Sequence, residues 1–223
     1  MRFGRKRAHD DETPEGPEEV ASDDVVDPQA APPPSRTRDA PESGPFDVSE
    51  VDLEDTDMVD LGSLLIPRPI DVELRLQVDD ASGSVMAVLL VGEDGALELR
   101  PFSASRGGGA WEELRPRIAA ETTRVGGTAT EQEGVFGAEL LCLVPVQSPE
   151  GEPATQASRF VGHEGPTWLL RSNLMGNPAV DPGVAGGWDD IIRAVVVRRG
   201  TEAMPPGSPL PLTLPPDAVP SAE

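Results

Sequence analysis

Apolar and polar residues alternate strictly from Ile70 to Val78, placing Ile70, Val72, Leu74, Leu76 and Val78 on one side of an extended segment. Side chains on a strand point alternately to its two faces, so this pattern predicts a half-buried strand. Asp79–Gly83 reads as a turn, and Val85–Val91 is a continuous apolar run that predicts a central strand. Glu93-Asp94-Gly95 is a hairpin signal, and Ala96–Phe102 alternates again through Leu97 and Leu99. These three strands predict an antiparallel meander.

The pattern then changes period. After Gly107-Gly108-Gly109, Trp111, Leu114, Ile118 and Ala119 recur at helical spacing, and Gly126-Gly127 marks the stop. Pro116 predicts a kink, or a start nearer Leu114. Thr128–Glu133, Ala138–Val146, Ser158–Val161 and Thr167–Arg171 read as strands, the second the most buried through Leu140, Leu141, Leu143, Val144 and Val146. Trp188, Ile191, Ile192, Val195 and Val196 fit an amphipathic helix ended by Gly200, although the β-branched run Val195–Val197 also suits a strand. Asp189 and Asp190 then stand as acids at the helix start. The order βββ-α-ββββ-α predicts an α+β fold: a mostly antiparallel sheet with two packed helices. It is similar to the order in the photosystem-accessory and nuclear-import-factor type of α+β sandwich.

Outside this body the pattern fails. Residues 8–60 hold 18 Asp and Glu against Arg36 and Arg38, a net of −16. So much like charge with so little apolar surface does not offset the ordering entropy of the backbone, roughly 1–2 kcal/mol per residue. Residues 1–58 are therefore expected to be a disordered acidic tail with a basic N-terminus, and 59–204 a single α+β domain. Residues 205–223 are expected to form a Pro-rich C-terminal strap and tail. Leu210, Leu212 and Leu214 alternate within the strap and should pack on the body.

Charge narrows the function. The chain carries a net −22, which argues against nucleic-acid binding by the acidic body. Met1–Arg7 is basic but leads into no apolar segment of a secretory signal, and no run approaches the ~20 apolar residues that span a bilayer. The expected location is the cytoplasm, with no transmembrane segment. Cys142 is the sole cysteine, so no intramolecular disulfide can form.

Candidate chemistry concentrates in Arg159–Gly176, where a tight turn from Gly162 to Pro166 joins two strands. An arginine beside an indole can hold an anion or a peptide. Arg171, Trp168, Arg159 and His163 are accordingly the candidate binding residues. The structural alternative puts Trp168 in the core and pairs Arg171 with an acid. His163 lacks a recognisable nucleophile and orienting partner, and Glu164 reads as a solvated turn residue. Cys142 reads as a buried, inert thiol. Gly107–Gly109 lacks the Lys-Ser/Thr ending of a phosphate loop. With His9 and His163 the only histidines, no zinc cluster is expected. No catalytic residue, metal or cofactor is expected. The chain reads as a non-catalytic protein-interaction or accessory protein whose partner is another protein. The alternative is a small-ligand or anion-binding module using the Trp168/Arg171 hairpin.

Gly162…Gly165-Pro166…Trp168-Leu169-Leu170-Arg171 with Gly176, the segment Gly134–Glu139, and the end Ala203–Pro215 together resemble the actinobacterial "domain of unknown function 3710" family. The resemblance covers roughly residues 59–216. Thr167 departs from it, standing where a basic residue would be expected. The resemblance implies no activity.

Overall fold

The computed structural model describes residues 44–54, 56–68, 71–79, 81–148 and 151–214. The meander is present as β4 (Glu73–Val78), β5 (Val85–Val91) and β6 (Gly95–Ser103), and β7 (Thr128–Gly134), β8 (Gly137–Gln147), β9 (Pro153–Glu164) and β10 (Trp168–Gly176) complete a seven-stranded antiparallel sheet. Its strand order is β4-β5-β6-β10-β9-β8-β7, so the chain folds inward from both edges and β10 closes the middle against β6. Two helices, α1 (Ala110–Arg124) and α2 (Pro182–Ala194), complete the α+β fold in the expected order.

The sheet has two differently covered faces. Leu97, Leu99, Val88, Leu90, Leu170, Leu174 and Val161 occupy one face and are each 0% exposed. They pack against Trp188 and Ile192 of α2 and against a second sheet, ordered β1-β11-β3-β2, built from Phe46–Asp47, Val196–Val197, Leu64–Pro67 and Met58–Asp60. Each leucine buried this fully stabilises the fold by roughly 1.5–3 kcal/mol. We call this the inner face. The outer face carries α1, packed chiefly over β7, β8 and β9.

Several expectations need correcting. The 1–58 tail falls largely outside the described residues, but residues 44–54 and 56–58 are described and hold regular elements. Phe46–Asp47 pairs in parallel with Val196–Val197, and Met58–Asp60 pairs with Leu65–Pro67. Charge averaged over residues 8–60 hides these short apolar anchors. The last helix begins at Pro182, capped by Asp181, and ends at Ala194 rather than Gly200. Val196 and Val197 leave it for β11, as β-branched residues favour. Asp189 and Asp190 are therefore late helical residues and not acids at a helix start. Pro116 sits inside α1, on an exposed position, without ending it. In β8, Leu143 is 36% exposed, and β10 is the more buried strand.

Of the expected C-terminal strap and tail, residues 205–214 lie on the body, and 215–223 fall outside the described residues. Leu210 is 2% exposed and Leu212 8%, and the Leu210 N–H donates to the Pro101 carbonyl at 2.9 Å. Leu214 stays 59% exposed.

Candidate functional site

Register decides which of the four candidate residues can act together. Trp168 and Arg171 are three apart on β10, so they point to opposite faces. Leu174 pairs with Arg159 and Leu170 with His163, which puts Arg159, His163 and Trp168 on the inner face. Only Arg171 lies on the outer face, opposite Gly162 on β9 and Arg100 on β6. The hairpin does not form a four-residue site.

The three inner residues have structural roles. Trp168 is 2% exposed, and its indole Nε1 donates to Asp47 Oδ2 at 2.8 Å. Arg159 bridges two buried acids, with Nη1 3.2 Å from Glu139 Oε2 and Nη2 2.7 Å from Asp189 Oδ1. It ties β8 and α2 together through β9. His163 stacks edge-on against Phe136 at 4.6 Å between ring centroids. Burial, and then the nearby Arg193 guanidinium, push its pKa down to about 4. The imidazole is therefore neutral near pH 7.

The glycines around these residues are explained by the same packing. A Cβ on Gly162 would enter the Trp111 ring, one on Gly165 the Trp168 ring, and one on Gly134 the Glu139 carboxylate. The motif residues therefore make room for two indoles and a buried carboxylate. Glu164 is a helix cap and not a free turn residue. Its Oε1 accepts from the Trp111 N–H at 2.6 Å, satisfying one of the open donors at the start of α1.

The outer face holds a groove of about 420 Å³ between α1 and the sheet. Ile118, Thr122 and Val125 form its helix wall, Cys142, Val144 and Phe160 its sheet wall, and Arg171 and Arg117 also line it. The Arg171 guanidinium lies 5.9 Å from the Phe102 ring centroid and 5.7 Å from that of Phe160, and its side chain is 16% exposed. Its Nη2 donates to Glu98, the acid that pairs with it, while its buried Nε has no partner. Burial lowers its pKa, and the charge of Glu98 opposes that shift. Arg117 is exposed and, among the described residues, has no ion-pair partner. Glu121 also lines the groove but is held by Arg124 at 2.5 Å. Cys142 is 1% exposed, and burial raises its thiol pKa. The groove is thus apolar-walled with cationic groups at one end. Sequence reasoning missed it because α1 contributes a stripe of mixed polarity, Arg117, Ile118, Glu121, Thr122 and Val125, whose face becomes defined only when the sheet is present.

Among the described residues no cluster of His, Cys, Asp and Glu could hold a metal ion, and no helix is long and apolar enough to cross a membrane.

A comparison with curated proteins finds no match. Among solved structures, a protein from Bacteroides thetaiotaomicron is 13% identical with a TM-score of 0.37, over 64% of this chain and 48% of that one. This chain thus spans about half the length of that protein. LpqN of Mycobacterium tuberculosis, involved in cell envelope biogenesis, is 13% identical with a TM-score of 0.31, over 63% of this chain and 89% of that one. Neither bears on the function of this chain. Residues 44–221 match the family described as "Protein of unknown function (DUF3710)", and the chain belongs to that family.

Proposed function

We propose that this is a non-catalytic cytoplasmic accessory protein that binds a small anionic ligand in the α1 groove. One observation carries the reading: a guanidinium set between two phenylalanine rings, in an apolar-walled groove with a second arginine that has no ion-pair partner among the described residues. Held out of bulk water, such a cation interacts with an anion more strongly than an exposed arginine does. It stands out further in a chain with net charge −22. The non-catalytic part is supported by the two groups most able to act as base or nucleophile: His163 sits on the inner face, and Cys142 is held as a neutral thiol. A protein partner is the second reading, favoured by the acid-rich stretch over residues 8–60 with its net of −16.

The test is fluorescence titration with anilinonaphthalene sulfonate, an apolar anion, on the full chain and on Ser158→Trp, which fills the groove from β9. Saturable binding to the wild type, lost in a variant that keeps its melting temperature, is the expected result. Equal binding by both proteins contradicts the assignment.

A further inference from the structure

Resting on the groove reading, we propose that the natural occupant is a single-headed anionic amphiphile: a carboxylate or similar monoanion held by Arg117 and Arg171, with an unbranched apolar tail running along α1 toward Val125.

The argument comes from where charge and apolar surface lie along the groove. Arg171 stands opposite Gly162, and Gly162 lies beneath the Trp111 ring near the start of α1. Val144 stands opposite Gln156, three two-residue strand repeats from Gly162 along β9. Gln156 lines the same groove as Val125, the residue that follows α1. The groove therefore has a cationic end and an apolar end, and the helix and the strand each give a length for the apolar stretch. Arg117 to Val125 rises about 12 Å along the helix axis. Phe160 to Gln156 advances about 13 Å along the strand. That distance matches an extended alkyl chain of roughly eight to ten carbons.

The chemistry at each end favours this class over its competitors. A dianion needs more positive charge than is free here, because Glu98 already accepts from Arg171. A cationic head would be repelled by Arg117, and the acids beside it, Glu98 and Glu121, are already paired with Arg171 and Arg124. A largely polar body would lose hydrogen bonds to water along Ile118, Val125, Val144 and Phe160, where only Thr122, Ser158 and Gln156 could replace them. An alkyl chain loses none, and each methylene buried there should raise affinity about fourfold.

The experiment displaces anilinonaphthalene sulfonate from the full-length protein with saturated carboxylates of six to fourteen carbons, with decanol and with decyltrimethylammonium, all below their micelle concentrations. Affinity is expected to climb about fourfold per methylene to roughly ten carbons and then flatten. Decanol should bind at least about tenfold more weakly than decanoate. Arg117→Gln, at an exposed position with no ion-pair partner among the described residues, should weaken decanoate about tenfold and leave decanol and the melting temperature unchanged. Displacement that ignores chain length, or equal displacement by the cationic amphiphile, overturns the proposal. So does anilinonaphthalene sulfonate bound in the groove that no carboxylate displaces, although the groove reading then stands. If the dye does not bind the groove at all, both fall together.

Discussion

The indole of Trp168 donates to the carboxylate of Asp47 at 2.8 Å, joining residues 121 apart in sequence. This bond, with the parallel pairing of Phe46–Asp47 to Val196–Val197, fastens the first described segment to the centre of the molecule. Asp47→Ala removes a charged acceptor and leaves a buried N–H without a partner. The expected loss is about 1–3 kcal/mol by denaturant titration. Burial pushes the Asp47 carboxyl up, but hydrogen bonds from Ser49 and Trp168 outweigh it and hold the group below its ordinary 3.8. The stabilisation is therefore full above pH 3.8 and is lost as pH falls through the lower folded value. A variant as stable as the wild type at neutral pH would show that the segment is not anchored there.

Leu210 and Leu212 fill the core from a proline-rich segment with little regular structure. Leu210→Ala is expected to lower stability by about 2–5 kcal/mol, and Leu214→Ala, on the same segment but exposed, by well under 1 kcal/mol. Equal effects at the two positions would mean that the segment does not pack as described.

Arg159 lies between Glu139 and Asp189 with all three side chains nearly buried. Arg159→Met strands two buried carboxylates and should cost about 3–5 kcal/mol. Adding Glu139→Gln and Asp189→Asn to that variant should restore most of the loss. A triple variant no better than the single one would show that Arg159 acts through packing and not through charge.

How much of this could be read from sequence depends on distance along the chain. β4 and β6 alternate, β5 is a continuous apolar run, and consecutive hairpins join the three, so they were legible. β1 and β11 are two residues each and pair across the whole domain, so neither has a local pattern to detect. The partners of Arg159 lie 20 and 30 residues away in sequence, and Glu139 and Asp189 resemble ordinary surface acids until the helix and sheet meet. The split between Trp168 and Arg171 is different: a spacing of three on a strand already implies opposite faces. That signal was present in the sequence and argued against a joint site. The acid expected to pair with Arg171 exists as Glu98, but its identity required the β6–β10 register.

His163 provides a test of the inner face. Its folded pKa of about 4 lies below the ordinary 6.5, so the unfolded chain takes up the proton first as pH falls. The contribution of the neutral ring is full above pH 6.5 and is lost progressively toward pH 4, a total of roughly 3 kcal/mol. Other groups titrate in this range, so the quantity to measure is the stability difference between wild type and His163→Gln across pH 4 to 7. It should shift toward the variant as pH falls. Parallel curves would place His163 in water, away from Phe136 and Arg193.

The central claim is that the groove between α1 and the outer sheet face is the binding site. The most direct measurement is a set of amide correlation spectra of the full-length protein titrated with decanoate. Saturable shifts are predicted at Arg117–Val125, Cys142, Val144, Gln156, Ser158, Phe160 and Arg171, with Trp168, Arg159 and His163 moving little. Shifts centred on the inner-face residues, or scattered without saturation, would contradict the account.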